Sequence, residues 1–275
     1  MLKCKLKSRS WLIKAILIFI LIIIVLVHAI HALTFDLIVV YEEITLSTPN
    51  IPQELDGYLI AFITDTHVEF KERLSDVVDE LNKRQVDLLL LGGDYTFDHN
   101  DLEKTMLLIS QVKTVDGIYG VIGNHDHNET LLPAFQKYGI IPLINSGYYI
   151  HDGFYLAGVD DLWKGNPDIE TATKDANDGS FILLLAHNPD TSMEQDTTGV
   201  DYIICGHTHG GQLNLFGFLS IGLDARLISH YGTRFKSGWA ESQDGTPVYV
   251  SRGLGEFYPR VFARPEVTLI TLVRE

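Results

Sequence analysis

Two kinds of hydrophobic pattern divide the chain. Residues 15–35 form a continuous uncharged run dominated by Ile, Leu and Val, whereas the remainder alternates short apolar runs with amphipathic segments. Runs of Leu and β-branched residues, such as 58–64 and 86–91, predict strands that are buried on both faces. Apolar residues at helical spacing, as in 73–84, predict amphipathic helices. This alternation favours a layered α/β architecture.

The same pattern gives the order of the elements. We predict strands at 35–46, 58–64, 86–91, 117–122, 155–159, 181–186, 202–205, 248–251 and 267–273, and helices at 73–84, 102–112 and 130–138. The apolar run LNLFGFLSI at 213–221 is interpreted as a core strand, with a lipid-facing lip as the alternative. No repeat or internal linker interrupts residues 36–275, so we predict that they form one domain.

The uncharged run at 15–35 predicts a transmembrane anchor. Its length matches the roughly 20 residues that cross a bilayer as a helix. Residues 1–14 are a basic tail, and no acidic residue precedes Asp36, which predicts a single-pass protein of the cell membrane with a cytoplasmic N-terminus and the domain outside. A cleaved signal sequence is the alternative, because Ala29 and Ala32 offer small residues at possible cleavage points. The basic residues of the tail are Lys3, Lys5, Lys7, Arg9 and Lys14.

Composition and charge exclude several classes of protein. The chain has 275 residues, 46% of them hydrophobic, which is enough for a substantial core. Its two cysteines exclude a disulfide scaffold. The net charge is −15, and residues 36–275 alone carry 16 basic against 36 acidic residues. So acidic a domain lacks the cationic surface of a nucleic-acid binder. Nothing in the sequence indicates an obligate protein partner.

Residues that commonly bind metals follow five of the predicted strands. They occur in the patterns D-x-H, G-D, G-N-H-D, a single His in A-H-N-P-D, and G-H-T-H-G-G. One Asp after a strand is commonly only a helix cap. Because open α/β sheets bind ligands at the carboxyl ends of their strands, the whole set predicts one shared site. The residues are Asp65, His67, Asp94, Asn124, His125, Asp126, His187, His207 and His209.

This series resembles the signature of the calcineurin-like metallophosphoesterase family over residues 58–275. The phrases AHNPD, GHTHGGQ and GLGEFYPRVFARPE are similar to its membrane-associated YaeI-like branch. The resemblance implies a four-layered α/β/β/α sandwich, here preceded by one N-terminal transmembrane helix. It also implies a dinuclear site for two divalent metal ions. Mixed nitrogen and oxygen ligands suit Mn, Fe, Zn or Ni rather than Ca.

The resemblance also implies a role for each metal ligand. Asp65, His67 and His209 would hold one metal ion. Asp94 would bridge the two ions, which share its carboxylate. The remaining ligands of the second ion would be Asn124, His187 and His207.

Two further residues receive catalytic roles from the resemblance. His125 would contact the substrate phosphate and protonate the leaving oxygen, and Asp126 would orient it. Arg260 and Arg264 lie outside these motifs, and they either steer a substrate phosphate or are ordinary surface charges.

The resemblance implies hydrolysis of a phosphodiester or pyrophosphate bond. The expected substrate is a phosphoester of the membrane or envelope, and lipid-linked phosphoesters belong to this class. One alternative is the UDP-2,3-diacylglucosamine pyrophosphatase reaction of lipid A synthesis. A second is a non-catalytic scaffold of the same fold. Such scaffolds typically lose metal ligands or the His of G-N-H-D, and this chain keeps all of them.

Overall fold

A computed structural model describes residues 2–67, 71–255 and 259–275 of the chain. The helices are α1 (Leu2–Leu33), α2 (Lys71–Arg84), α3 (Leu102–Ile109), α4 (Asn128–Tyr138), α5 (Ile169–Thr173), α6 (Thr191–Glu194) and α7 (Ile221–Asp224). The first seven strands are β1 (Val40–Thr48), β2 (Leu59–Ile63), β3 (Leu88–Leu91), β4 (Ile118–Gly120), β5 (Ile140–Pro142), β6 (Ser146–His151) and β7 (Phe154–Gly158). The others are β8 (Phe181–Leu185), β9 (Tyr202–Cys205), β10 (Asn214–Leu215), β11 (Leu219–Ser220), β12 (Gly238–Glu241), β13 (Pro247–Val250) and β14 (Glu266–Arg274).

Two six-stranded sheets form the centre of the domain. The first has the order β1-β14-β2-β3-β4-β5, and the second has the order β12-β13-β9-β8-β7-β6. Strands β2, β3, β4 and β5 run parallel to one another, and so do β7, β8, β9 and β13. The loops that leave the carboxyl ends of β2, β3 and β4 therefore lie together, as do those that leave β8 and β9.

Alternating side chains of the strands build three separate apolar layers. Ile60 and Phe62 of β2 point into the core between the two sheets, whereas Ala61 and Ile63 pack with α2, α3 and α4 on the outer face of the first sheet. The outer face of the second sheet packs against α5. This arrangement is the predicted four-layered α/β/β/α sandwich.

The predicted helices and most of the predicted strands are confirmed to within a few residues. The strand predicted at 35–46 starts later, because Phe35–Leu37 form a turn of 3-10 helix before β1. The core strand predicted at 213–221 is wrong. This segment forms the short hairpin of β10 and β11, and Phe216 and Phe218 are 53% and 72% exposed. Its turn contains Gly217 in the left-handed conformation, so the apolar run cannot continue as one strand.

The N-terminal helix α1 contains both the basic tail and the uncharged run. The stretch Trp11–Leu37 is long and apolar enough to cross a membrane, with a mean hydropathy of 3.1. Its side chains are largely exposed, unlike those of a core helix. The 3-10 turn that follows α1 contacts the domain, since buried Asp36 accepts a hydrogen bond from the backbone N–H of Phe262 at 2.9 Å.

Candidate metal centre

The five predicted loops meet at one edge of the sandwich. Within the first sheet, the backbone N–H of Asp65 donates to the carbonyl of Gly93 at 2.9 Å. Within the second sheet, the N–H of Gly206 donates to the carbonyl of His187 at 3.0 Å. The N–H of His207 joins the two sheets by donating to Oδ2 of Asp65 at 2.8 Å. The loops therefore form one connected structure around a common centre.

Five of the seven predicted metal ligands adopt a backbone conformation that is unusual for residues other than glycine. A positive φ costs such a residue on the order of 1–3 kcal/mol and persists only where the surrounding structure enforces it. Residues held in this way cluster at functional sites. The five, with φ from 38° to 70°, are Asp65, His67, Asp94, His207 and His209.

Two glycines of the motifs allow the loops to approach one another closely. A Cβ atom on Gly123 would lie 2.2 Å from Oδ1 of Asp94. A Cβ atom on Gly206 would lie 2.3 Å from Oδ2 of Asp65. Both distances are far below van der Waals contact, so the two carboxylates occupy space that only glycine leaves free.

Each buried carboxylate has one oxygen that is fixed by the protein and one that faces the histidines. Oδ2 of Asp65 accepts hydrogen bonds from Thr64 Oγ1 and the His207 N–H, whereas buried Oδ1 has no hydrogen-bond partner among the described residues. Oδ1 of Asp94 accepts from the His125 N–H at 2.8 Å. Its Oδ2 lies 3.5 Å from Nε2 of His67 and 3.4 Å from Nε2 of His187. Asp94 thus lies between two histidines of different loops, as a bridging ligand would.

The other predicted ligands complete the cluster. Nε2 of His209 is 3.6 Å from Oδ1 of Asp65. Nε2 of His187 lies 3.1 Å from Oδ1 of Asn124 and 3.2 Å from Nδ1 of His207. Two overlapping groups of candidate metal ligands result, Asp65–His67–His209 and Asp65–Asp94–His187.

Backbone carbonyls set the orientation of two of the imidazole rings. Nδ1 of His187 donates to the carbonyl of Gly92 at 2.7 Å, which leaves Nε2 facing the cluster. Nε2 of His207 donates to the carbonyl of Ile228 at 3.0 Å, which leaves Nδ1 facing His187. A hydrogen bond from the second ring nitrogen is the usual way in which a protein orients a metal-binding histidine.

Burial controls the protonation of the cluster. It lowers the pKa of His67 to about 4 and the pKa of His207 to about 3, and it also lowers the pKa of His209. These three rings are therefore neutral at pH 7, which is the form that binds metal. Burial opposes ionisation of both Asp94 and His187, but their mutual attraction is stronger. The pair lowers the pKa of Asp94 and raises that of His187.

The donor set fits a transition-metal site. Burial raises the pKa of Asp65 to about 6, and His187 opposes this rise. A buried carboxylate with an unpaired oxygen is costly unless a cation compensates it. The surrounding imidazoles offer nitrogen ligands, and the mixture of nitrogen and oxygen is typical of sites for first-row transition metals. The residues present therefore fit a metal site at this edge of the sandwich.

Known proteins with similar sequences support the same conclusion. Residues 58–211 match the family model for calcineurin-like phosphoesterase, a range that contains every predicted ligand. The chain is 31% identical over 239 residues to Phosphodiesterase YaeI of Escherichia coli, covering 78% of this chain and 82% of that protein. It is 29% identical over 246 residues to the uncharacterized metallophosphoesterase YkuE of Bacillus subtilis, covering 84% of both. An uncharacterized metallophosphoesterase of Helicobacter pylori is 31% identical over 221 residues, which cover 76% of this chain and 57% of that protein.

The chain belongs to the calcineurin-like phosphoesterase family. It is accordingly a phosphoric ester hydrolase, and the candidate ligands described above lie within the matched residues 58–211. The exposed residues that border the cluster mark its open side.

The predicted acid, His125, lies at the open side of the cluster. Its side chain is exposed, and its ring centroid lies 5.3 Å from that of His67. The contacts of Asp126 are with backbone groups: its carboxylate accepts from the N–H groups of Asp94, Tyr95 and Gly123 at 2.8 to 3.0 Å. Asp126 therefore holds the loops together, and its orienting effect on the His125 ring stays a prediction.

Two aromatic residues border the cluster and were not anticipated from the sequence. Phe97 stacks on the His67 ring at a centroid distance of 4.1 Å, and Trp163 meets the His207 ring edge-on at 4.5 Å. They are 38% and 41% exposed, so solvent reaches both of these rings beside the buried histidines. Neither lies in a motif, and the only available signal was an aromatic residue a few positions after a predicted strand end.

The two arginines of uncertain role have separate locations. Arg260 is not a surface charge, since it is 1% exposed and its Nη2 donates to Nδ1 of His209 at 3.2 Å. Burial lowers its pKa to about 10. Arg264 lies away from the cluster, beside a cavity lined by His31 and Asp36 at the end of α1. Only Arg260 therefore contacts a candidate metal ligand.

Proposed function

We propose that this protein hydrolyses phosphodiester or pyrophosphate bonds with the help of two divalent transition-metal ions. The observation that carries the proposal is the position of Asp94 within the cluster of candidate ligands: its Oδ2 lies within 3.5 Å of Nε2 atoms of His67 and His187, which come from two different loops. The name of the YaeI relative supports a diester rather than a monoester. Mn, Fe, Zn and Ni are all compatible with this ligand set.

In such a reaction the candidate ligands would bind two metal ions. One ion would be held by Asp65, His67 and His209. The other ion would be held by Asn124, His187 and His207. Asp94 would be a ligand of both ions. When bound, the two ions would neutralise phosphoryl oxygens and activate water for in-line attack.

His125 has the exposure that proton transfer to a leaving oxygen requires. Phe97 and Trp163 would confine the substrate between them. In an acidic domain, bound cations would also supply the positive charge that an anionic substrate needs.

We further propose that the substrate is a phosphoester of the membrane or envelope. Residues Trp11–Leu37 would cross the membrane once, with the N-terminus in the cytoplasm and the catalytic domain outside. Only a few residues separate the end of α1 at Leu33 from the start of β1 at Val40. So short a connection would keep the domain at the membrane surface and raise its effective concentration towards phosphates carried there.

The test uses the full chain, purified in detergent and stripped of metal. Hydrolysis of bis(p-nitrophenyl) phosphate, a diester, is compared with that of p-nitrophenyl phosphate, a monoester, before and after addition of Mn²⁺. We expect no activity without metal, recovery with Mn²⁺ and a higher kcat/KM for the diester. His230→Ala serves as the active control, because the side chain of this exposed histidine pairs only with Glu194 among the described contacts. Full activity without metal, or a preference for the monoester, would contradict the proposal.

A further inference from the structure

Six exposed apolar side chains of the domain are concentrated in one loop. We call residues 213–231 the apolar loop; it contains the β10–β11 hairpin and α7. Exposed apolar side chains concentrated in so short a segment indicate an interaction surface, because on soluble proteins such side chains usually occur singly. Those in the loop are Leu215, Phe216, Phe218, Leu219, Ile221 and Leu227.

The apolar loop contacts the N-terminal helix directly. The backbone N–H of Phe216 donates to Nε2 of His28 at 3.0 Å, and the two rings meet edge-on at 5.4 Å. A cavity of about 400 Å³ separates Ile24 and Val25 of α1 from Leu213 and other apolar residues of the loop. The loop therefore touches α1 inside the stretch Trp11–Leu37, and not only beyond its end.

This position determines which surroundings the loop has. Ile24 and Val25 precede the end of α1 at Leu33 by nine and eight residues. If α1 crosses a membrane, they therefore lie inside the bilayer, roughly 12–14 Å from Leu33 along a helix that rises about 1.5 Å per residue. Side chains of the loop that face them must then lie at or below the headgroups. A partner protein could reach this surface only through lipid.

The charge of the segment that contains the apolar loop also favours a membrane surface. Between Asp201 and Glu241 the only acidic residue is Asp224, whereas Arg226, Arg234 and Lys236 are basic. This segment is therefore positive within a domain that is strongly acidic as a whole. Basic residues beside an apolar surface are typical of segments that lie in the interface of anionic membranes.

The opposite end of the loop reaches the metal centre. The carbonyl of Ile228 accepts the hydrogen bond from Nε2 of His207, and the Ser229 hydroxyl donates to Oδ1 of Asp190 at 2.5 Å. One continuous segment thus contacts α1 through Phe216 and a candidate metal ligand through Ile228.

We propose that the apolar loop inserts Phe218 and Leu227 into the boundary between headgroups and acyl chains, and holds the metal centre at the bilayer surface. The proposal rests on the membrane attachment of α1 proposed above. It identifies the substrate as a phosphoester carried on a lipid, because its phosphate would lie at the level of the metal centre while its acyl chains stay in the bilayer. The loop would be a second attachment of the domain, independent of the covalent one.

The depth of the loop can be measured without any activity. The full chain carrying Cys4→Ser is given one new cysteine, Phe218→Cys or Leu227→Cys, and each is labelled with bimane. The native residues at these positions are 72% and 73% exposed. Val115→Cys is the matched control, because Val115 is 81% exposed and lies near the start of β4, at the edge of the sheet opposite the metal-site loops. Cys205 is buried and burial raises its pKa, so it does not label.

The labelled proteins are reconstituted in nanodiscs of phosphatidylcholine and phosphatidylglycerol, with or without lipids that carry a quenching doxyl group near the headgroup. We expect strong quenching at 218 and 227 and little at 115, since interfacial segments lie roughly 5–10 Å into the boundary. Equal quenching at all three positions would overturn the proposal. Inactivity towards bis(p-nitrophenyl) phosphate would instead contradict the proposed function, and the two failures are therefore distinguishable.

Discussion

Nε2 of His187 lies 3.4 Å from Oδ2 of Asp94, and both side chains are almost completely buried. The two residues come from different sheets, since His187 follows β8 and Asp94 follows β3. Their contact therefore joins the two halves of the candidate metal centre. Without metal, the raised pKa of His187 and the lowered pKa of Asp94 make them an ion pair.

Asp94→Ala is expected to be the most damaging change of a single ligand. Its Oδ2 lies near histidines of both ligand groups, whereas the one side-chain contact described for Asn124 is with His187. Changes outside the ligand shell already cost roughly 10–100-fold in metal affinity or activity, so this loss should exceed that range. Metal content by mass spectrometry and kcat/KM are the measurements. Asn124→Ala is the graded comparison, and a larger loss in that variant would contradict the bridging role.

His125→Ala is expected to lower kcat by roughly 10²–10⁴-fold, because it removes a general acid. Metal content should remain unchanged, since the described contact of His125 with Asp94 is made by its backbone N–H. The defect should be smaller for p-nitrophenyl esters, whose leaving group needs little protonation, than for an alkyl diester. If the variant lost a metal ion, His125 would be a ligand and the proposed role would be wrong.

The sequence predicted which polar residues lie together better than it predicted the surface. Buried runs such as LLLL of β3 have only one suitable place, in the middle of a sheet, and the polar residues after them fall at its edge. The run at 213–221 is also mainly apolar but forms an exposed hairpin. Composition cannot separate a core strand from a surface that faces α1, because both favour apolar residues.

Contacts between distant segments were also beyond the sequence. Arg260 lies 51 positions from His209, and nothing in its neighbourhood indicates that it is buried beside that ring. Edge strands such as β6, with its exposed tyrosines, lack the apolar alternation that would have predicted them. The signals that succeeded were local, namely buried strands followed by ligand residues and flexible glycines.

Gly123→Ala is expected to abolish metal binding. Its new Cβ would lie 2.2 Å from Oδ1 of Asp94 and would displace the carboxylate. Gly139→Ala is the matched control, because Gly139 has a positive φ but no atom within 4 Å of its Cβ position. The control should lose only about 1 kcal/mol of stability from backbone strain, and it should keep its metal. Metal analysis and thermal unfolding of both variants test this, and normal metal content in Gly123→Ala would refute the steric argument.

Asp126→Ala separates a structural role from an orienting one. The change leaves the backbone N–H groups of Asp94, Tyr95 and Gly123 without their acceptor. Each unsatisfied buried group costs about 1–3 kcal/mol, so we expect a large loss of stability together with loss of metal. A variant that keeps its stability and metal content but loses kcat would show instead that Asp126 acts through His125. Asp126→Asn keeps one acceptor oxygen, so its stability and metal content should lie between those of Asp126→Ala and those of the unchanged protein.

The charges around the uncharged run predict the orientation of the chain in the membrane. Five basic residues precede the uncharged run at 15–35 and no acidic residue comes before Asp36, so the N-terminus should stay in the cytoplasm and the C-terminus should lie outside. We expect a C-terminal alkaline phosphatase fusion to be active in cells and a C-terminal green fluorescent protein fusion to be dark. The basic tail supplies the control, because replacing Lys3, Lys5 and Lys7 with Glu should weaken or reverse this result.

A retained helix is expected as well, because His28 and Asp36 both contact the domain. A tag at the N-terminus should therefore remain on the mature protein and fractionate with membranes. Loss of the tag would indicate a cleaved signal sequence. A bright fluorescent fusion would place the domain in the cytoplasm, and lipid phosphates of the inner leaflet would then be its accessible substrates.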